Sequence, residues 1–193
     1  MLRNKLLDLK IILASASPRR QQFFKDLDVN FEIRIKDVDE VYPDHLQRQE
    51  ITDYLAILKA NAQKSDLIDS EILITSDTIV WLENEALGKP KDWQDAFEML
   101  RKLSNKTHDV ITSVCFCTAE KTTVINDITN VTFTELSDQM ITYYLETYNP
   151  LDKAGAYGIQ DWIGLVAVKS IIGSYTNVMG LPTEKVFDYL KNL

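Results

Sequence analysis

The stretch at residues 13–20, Leu-Ala-Ser-Ala-Ser-Pro-Arg-Arg, carries the side chains best suited to chemistry. An apolar run at 11–13 predicts a buried strand, and Ser17 followed by proline predicts the cap and first position of a helix. Arg19 and Arg20 then fall in the first helical turn, where the helix dipole favours anions over cations. Together with the hydroxyl of Ser15, the two arginines favour binding of a phosphate chain over two solvated surface charges.

No glycine-rich phosphate loop of the form G-x-x-x-x-G-K-[ST] or G-x-G-x-x-G occurs in the sequence. A nucleotide would therefore have to be held by a different scheme.

Asp77 is the main candidate for proton transfer. It lies between Ser76 and Thr78 in an otherwise apolar run, where an acid without partners is costly to bury. The pattern predicts a strand-rich segment at 71–82, interrupted at 76–78, with Asp77 at a strand end. The alternatives are a general base, a metal ligand, a backbone cap or an aspartyl-phosphate nucleophile. The last ranks low because no second aspartate follows two residues later.

Glu40 ends an acidic run, and such runs are usually solvated turns. Next to Asp77 and a phosphate ligand, however, it becomes a candidate ligand for Mg²⁺, which takes one or two carboxylates plus substrate oxygens. The sequence therefore leaves two interpretations of Glu40 open, a metal ligand or a surface acid.

Three further side chains are candidates for substrate contacts. Lys59 lies on a predicted helix and Lys89 in a rigid Gly-Lys-Pro turn, and each is equally consistent with a solvated lysine. Gln160 ends a glycine-punctuated loop, and its carboxamide can complement a pyrimidine edge, although a surface glutamine explains it as well. His45 and His108 stand apart, so Ser-His or Cys-His catalysis has little support.

Composition excludes several classes of function. The 193 residues contain 21 Lys and Arg against 29 Asp and Glu, a net charge of −8, which argues against a nucleic-acid or membrane partner. The apolar runs are too short to cross a bilayer, and the first ten residues lack the apolar centre of a signal peptide. Cys115 and Cys117 lie two apart in a strand-like run, which favours buried free thiols and a cytoplasmic location.

Strand-like and helix-like segments alternate, which predicts an α/β fold. The length suits one domain, or two lobes that share a cleft, and neither a repeat nor a linker interrupts it. The patterns predict strands at 31–36, 107–119, 122–134 and 165–172, and helices at 51–64, from 93, from 138 and from 183.

In chain order, six motifs resemble those of the Maf family of nucleoside triphosphate pyrophosphatases. They are LASASPRR (13–20), SDTIV (76–80), GKP (88–90), THDVIT (107–112), DKAGAYGIQ (152–160) and GSYTNVMGLP (173–182). Because they span nearly the whole chain, the resemblance is specific. It implies a single Maf-like domain over 1–193, with a long mixed β-sheet, flanking helices and two lobes around a central cleft, as in inosine triphosphate pyrophosphatases.

The resemblance also implies hydrolysis of a nucleoside triphosphate to the monophosphate and pyrophosphate, with a divalent cation, Mg²⁺ or Mn²⁺. The position matching Asp77 is the proton acceptor in this family. Positions matching Arg19, Thr78 and Gln160 distinguish base preference, and the three residues here resemble the dTTP/UTP branch rather than the 7-methyl-GTP branch. Asp161 stands where a glycine is common, a departure that bears on closure of the loop.

The expected function is hydrolysis of dTTP and UTP, with modified pyrimidine triphosphates as further candidates, in cleaning of the nucleotide pool. The alternative is a nucleotide-binding regulator of cell division or septum formation that requires no turnover. A homodimer is implied only by the resemblance. The candidate site consists of Asp77 as catalytic residue, Glu40 as metal ligand, and the substrate-binding residues Ser15, Ser17, Arg19, Arg20, Lys59, Thr78, Lys89 and Gln160.

Overall fold

The computed structural model describes residues 2–193, in which helices and strands alternate as predicted. The elements are α1 (Leu2–Lys5), β1 (Lys10–Leu13), α2 (Pro18–Asp26), β2 (Phe31–Ile33), α3 (Gln49–Lys64), β3 (Glu71–Leu82), β4 (Glu85–Leu87), α4 (Trp93–Leu103), β5 (Thr107–Cys117), β6 (Thr122–Phe133), α5 (Asp138–Tyr148), α6 (Trp162–Ala167), β7 (Val168–Ile172), α7 (Tyr175–Val178) and α8 (Thr183–Lys191). Two short 3₁₀ turns, Pro150–Asp152 and Ala154–Ala156, lie between α5 and α6.

Within residues 2–193, seven strands form one sheet in the order β2-β1-β3-β5-β6-β7, and β4 pairs with β3 outside this path. β1 is parallel to both β2 and β3, whereas β4 is antiparallel to β3 and β7 is antiparallel to β6. The predicted mixed sheet with flanking helices is therefore confirmed. No helix in this described range is both long and apolar enough to cross a lipid bilayer.

The chain forms two compact units. Unit 1 comprises the residues up to Asp77 together with Thr112–Asp127 and Gly180–Leu193, and unit 2 comprises Thr78–Ile111 and Ile128–Met179. The divisions fall inside β3, β5 and β6, so each of these strands contributes residues to both units.

The core of unit 1 lies around β1, which is buried over Ile11–Leu13 as predicted. Ser17 caps α2 and proline occupies its first position, so the predicted start of this helix is confirmed. The buried face of α3 includes Ile51, Leu55, Ala56 and Ala60, which recur at helical spacing. This packing holds the remaining part of α3, including Lys59, at a fixed register against the core.

The core of unit 2 is built from α4, α5, α6 and the segment that precedes α6, together with buried residues of β3, β4, β5 and β6. Asp92 caps α4 and Ser137 caps α5, each through a side-chain oxygen that accepts a backbone N–H, as predicted. Tyr157 and Ile159, from the glycine-punctuated loop, are buried in this core. The loop is therefore packed at its centre, although Gln160 at its end is exposed.

Three predicted elements differ from the structure. Strand β2 ends at Ile33 rather than at residue 36, because Ile33 pairs with Leu13, the last residue of the neighbouring strand β1. Residues 71–82 form one continuous strand, so the predicted interruption at 76–78 is wrong. Residues 165–167 are helical: Ile163 and Ala167 are buried four residues apart while Leu165 is 82% exposed, a helical rather than an alternating pattern.

Candidate active site

The predicted hydroxyl groups of unit 1 lie in the turn that starts α2. The Ser17 side chain accepts the backbone N–H of Arg20 at 3.4 Å, and the Ser15 side chain accepts the backbone N–H of Ser17 at 3.3 Å. Ser15 is buried, whereas Ser17 and Arg19 are half-buried. The turn therefore presents a helix start with an arginine beside it, which suits an anionic ligand.

Arg20 binds main-chain carbonyl groups as well. Its Nε donates to the carbonyl oxygen of Gly180 at 2.8 Å, and its Nη1 donates to that of Ser76 at 3.0 Å. Burial lowers the pKa of the guanidinium, and the negative charge of Asp77 opposes this effect. These bonds explain why a cation is stable at the start of a helix, and they place positive charge beside Asp77. Arg20 therefore joins α2 to β3 in addition to its predicted contact with substrate.

Asp77 lies in the middle of β3 and is 6% exposed, so its predicted place at a strand end is wrong. Its Oδ1 accepts a hydrogen bond from the Nζ of Lys59 at 2.6 Å. The same Nζ lies 3.0 Å from Oε1 of Glu40, an otherwise exposed acid. An acid can occupy an apolar strand here because the lysine compensates its buried charge.

The electrostatics of this group suit proton transfer. Burial raises the pKa of Asp77, and the neighbouring positive charges of Lys59 and Arg20 oppose that rise. A carboxylate with a raised pKa is a stronger base than one in water, while the lysine keeps it ionised and oriented. The group can therefore remove a proton from a water molecule placed next to it.

The two carboxylates also provide a partial donor set for a cation. Across residues 2–193, no group of three or more His, Cys, Asp and Glu side chains is arranged to hold a metal ion. Glu40 and Asp77 instead face one ammonium group, that of Lys59. Mg²⁺ in proteins takes one or two carboxylates, and substrate phosphates and water complete its coordination, so the chemistry of these two residues fits such an ion.

Two hydroxyl groups of β3 contribute features that sequence reasoning did not assign. The Oγ1 of Thr75 donates to the carbonyl oxygen of Ala56 at 2.6 Å and so fixes α3 to β3. The Oγ of Ser76 is buried and makes no hydrogen bond to any described residue. In the sequence, the run of hydroxyl residues around an acid in an apolar strand marks this segment as unusual. It does not predict that the partner of Thr75 lies on α3.

The remaining predicted residues belong to unit 2. Thr78 is half-buried next to Asp77 in β3, and Lys89 is exposed in its turn. The carbonyl oxygen of Gly88 in that turn accepts the backbone N–H of Gly155 at 3.0 Å, which joins the turn to the start of the Gln160 loop. Unit 1 thus brings seven predicted residues to the start of α2 and the middle of β3, namely Ser15, Ser17, Arg19, Arg20, Glu40, Lys59 and Asp77.

The loop that carries Gln160 is anchored through Tyr157. The Tyr157 hydroxyl lies 2.8 Å from Nε2 of the buried His108, and both rings pack edge-on against Phe133. On the other side of Gln160, Gly164 packs so closely against the backbone that a Cβ atom there would collide with the carbonyl oxygen of Ile159. The loop is therefore held at fixed positions before and after Gln160.

The fold and this group of residues define an α/β protein with a buried carboxylate–lysine pair beside an arginine-bearing helix start. The same architecture occurs in a solved structure titled the Staphylococcus aureus Ham1 protein. That structure aligns with a TM-score of 0.55 over 95% of this chain and 98% of the other, at 16% identity. At that identity the similarity shows the fold alone.

Residues 10–193 match the family model described as Maf-like protein, and the chain belongs to the Maf family. Its relatives include a dTTP/UTP pyrophosphatase of Flavobacterium psychrophilum, 66% identical over 100% of this chain and 98% of the relative. The protein of that name in Flavobacterium johnsoniae is 63% identical over 100% of both chains. The one in Christiangramia forsetii is 51% identical over 100% of this chain and 98% of the relative. The family resemblance seen in the motifs is confirmed.

Proposed function

We propose that this chain hydrolyses dTTP and UTP, and modified pyrimidine triphosphates, to the monophosphate and pyrophosphate, and thereby cleans the nucleotide pool. The observation that carries the proposal is the buried carboxylate of Asp77 on β3, which accepts a hydrogen bond from Lys59 at 2.6 Å. Arg20 binds the carbonyl oxygen of the preceding residue of the same strand. Full-length relatives named dTTP/UTP pyrophosphatase, up to 66% identical, support the substrate class.

In the proposed reaction, Asp77 accepts a proton from the attacking water. The water oxygen forms a bond to the α-phosphorus, and the bond from that phosphorus to the bridging oxygen breaks, so that pyrophosphate leaves. Lys59 holds Oδ1 of Asp77 and orients the carboxylate toward the water. Positive charge from Arg19, Arg20 and Lys89 offsets the negative charge of the phosphate groups as the transition state forms.

Glu40 is the proposed ligand of a divalent cation, Mg²⁺ or Mn²⁺, and Asp77, the proposed proton acceptor, is a candidate to share that ion. Support for this proposal comes from the distances of the two carboxylates to the Nζ of Lys59, 3.0 Å for Glu40 and 2.6 Å for Asp77. When bound, such an ion would neutralise negative charge on the phosphate oxygens of the substrate. Ser15 and Ser17, at the start of α2, are proposed to contact the phosphate groups.

The proposed base preference rests on Gln160 with Thr78. Uracil and thymine each present one N–H between two carbonyl oxygens, and a carboxamide can accept from that N–H and donate to one of the oxygens. Gln160 is exposed at the end of an anchored loop, where a base can reach it. A base that leaves these groups unpaired is rejected, so dTTP and UTP are preferred over ATP and GTP.

Residues 1–193 are proposed to form one functional domain that works in the cytoplasm. Cys115 and Cys117 are buried and free, a state that a reducing compartment maintains. A nucleoside triphosphate is the proposed partner, whereas the net charge of −8 disfavours nucleic acid and membranes. A homodimer is proposed as the state in solution, to be measured by sedimentation equilibrium.

The test is an assay of the purified chain with Mg²⁺ or Mn²⁺ against dTTP, UTP, ATP and GTP that resolves pyrophosphate from orthophosphate. Pyrophosphate release from dTTP and UTP is expected. Asp77→Asn should abolish turnover while triphosphate still binds, and Asp69→Asn, an exposed acid of the same unit, is the matched control. Near wild-type release by Asp77→Asn would remove Asp77 from its role.

Two other outcomes would overturn the proposal itself. Binding without release of either product from any nucleotide would favour the regulator of cell division that needs no turnover. Release of orthophosphate alone would indicate a phosphatase.

A further inference from the structure

The side chain of Gln160 takes part in a chain of hydrogen bonds that ends in the core of unit 2. Its Nε2 donates to Oδ1 of Asp161 at 3.2 Å. The other oxygen of that carboxylate, Oδ2, accepts from the Tyr144 hydroxyl at 2.8 Å, which in turn accepts the backbone N–H of Gly158 at 3.0 Å. Tyr144 is fully buried, so it anchors an exposed amide to the core.

This arrangement depends on close packing over Gly158. A Cβ atom at this position would lie 2.5 Å from Oδ2 of Asp161 and 2.6 Å from Nε2 of Gln160. The carboxylate and the carboxamide therefore both lie directly against the glycine. Any larger residue at this position would separate them. The glycine therefore fixes the position of the hydrogen-bonded chain Gln160–Asp161–Tyr144, which we call the bridge.

The bridge also fixes which atom of the carboxamide points away from it. A carboxylate only accepts hydrogen bonds, so the NH₂ group of Gln160 must face Asp161. The opposite orientation would bring the amide oxygen against a negative oxygen. Tyr144 remains a hydroxyl donor to the second carboxylate oxygen, because burial raises the pKa of its phenol. One orientation of Gln160 is thus favoured, with Oε1 and one remaining N–H available to a ligand.

We propose that Asp161 is a specificity-determining residue, which fixes the Gln160 carboxamide so that the site selects uracil and thymine over cytosine. The inference rests on the proposed function. Uracil and thymine offer an N–H at position 3, which Oε1 of Gln160 accepts. Cytosine has a bare nitrogen there, whose lone pair would face that same oxygen. A free glutamine could rotate its amide to suit cytosine, but rotation here would break the bond to Asp161.

Asp161→Asn tests the proposal because it changes the bridge without changing its shape. The Tyr144 hydroxyl would donate to the oxygen of the new amide, which leaves the NH₂ of that amide facing Gln160. Gln160 would then turn its own oxygen inward and present its NH₂ to the base. We expect the ratio of kcat/KM for UTP to that for CTP to fall by on the order of tenfold. Most of the change should appear in KM, since the hydrolytic residues of unit 1 are untouched.

Two further variants separate orientation from general damage. Tyr144→Phe keeps Asp161 but removes the hydroxyl that holds it, and should lower the same ratio by a smaller factor. Asp138→Asn, an acid of unit 2 whose side chain is 63% exposed, removes the same charge and should leave the ratio unchanged. Circular dichroism and the melting temperature establish that each variant is folded. Where Asp161→Asn does not fold, the result for Tyr144→Phe decides.

The outcomes distinguish this inference from the proposed function. If the unmutated chain releases no pyrophosphate from UTP, the proposed function fails first. If UTP is hydrolysed and Asp161→Asn leaves the ratio of UTP to CTP unchanged, only the role of Asp161 is refuted. An equal loss for all nucleotides in Asp161→Asn also refutes it, because a purely structural role would lower all activities together.

Discussion

Mild acid should destabilise this protein through His108. Its side chain is buried, its Nε2 lies 2.8 Å from the Tyr157 hydroxyl, and its Nδ1 has no hydrogen-bond partner among the described residues. Protonation would place a charge in this environment and give Nδ1 a hydrogen that no acceptor receives. Burial therefore lowers the pKa of His108 from 6.5 to about 4, against a smaller opposing effect of Asp109.

The sign follows from which state binds the proton. Between pH 6.5 and about 4 the unfolded chain carries a proton on His108 and the folded chain does not, so acidification stabilises the unfolded state. At about 1.4 kcal/mol per pKa unit, the full shift is worth about 3 kcal/mol of unfolding free energy. About 2 kcal/mol of this is already lost at pH 5, because the unfolded histidine is then almost fully protonated.

The assay is urea unfolding at pH 7.5 and pH 5 for the unmutated chain and for His108→Gln. The variant loses packing at both pH values but carries no titrating group at that position. Between pH 7.5 and pH 5 its free energy of unfolding should therefore fall by about 2 kcal/mol less than that of the unmutated chain. Acids such as Glu71 titrate in both proteins, and their effect cancels in the comparison. His45→Gln, at an exposed position, should keep the full dependence on pH. Equal pH dependence in His108→Gln and the unmutated chain would refute the argument.

Three further predictions concern a tightly packed glycine, the contact between α3 and β3, and the divalent cation. Gly164→Ala should lower the free energy of unfolding by about 2 kcal/mol or more, because its Cβ would collide with a backbone carbonyl oxygen, while Gly88→Ala, with nothing within 4 Å of its Cβ, should be neutral in urea unfolding. Thr75→Val should reduce kcat by about tenfold, because it removes the hydrogen bond to Ala56 that fixes the distance between α3 and β3, and Thr75→Ser should restore steady-state activity. Removal of divalent cations with EDTA should stop turnover, and Glu40→Gln should raise the metal concentration needed for half activity; an unchanged metal titration would show that Glu40 is not a ligand.

The sequence predicts features that are determined by neighbouring residues. The cap of α2 depends on Ser17 and the proline after it, and both behave as their local chemistry requires. The prediction of a strand over 165–172 was wrong at its start, because an apolar run of that length fits the end of a helix as well as a strand. The structure resolves this case through burial, with Ile163 and Ala167 facing the core and Leu165 facing solvent.

Partners that are distant along the chain could not be predicted from one sequence. Asp77 was identifiable as an acid in an apolar strand, but its bond to Lys59 depends on how α3 packs, and 18 residues separate the two. Arg20 was interpreted through the helix dipole alone, whereas two backbone carbonyl groups also stabilise it. Asp161 was visible only as a departure from a family pattern, because the Tyr144 that gives it a role lies 17 residues earlier, on α5.

The continuity of β3 is what brings the hydrolytic residues of unit 1 together. Alternate residues of a strand face the same side, so Thr75 and Asp77 point in one direction, and their side chains bind Ala56 and Lys59, both on α3. The side chain of Ser76, between them, points the other way, and the carbonyl oxygen of Ser76 accepts a hydrogen bond from the Arg20 guanidinium on α2. An interruption at this point, as the sequence pattern predicted, would break the alternation and separate the acid from its lysine. Thr75 and Asp77 are therefore tolerated within a regular strand because each of these polar side chains has its own partner on α3.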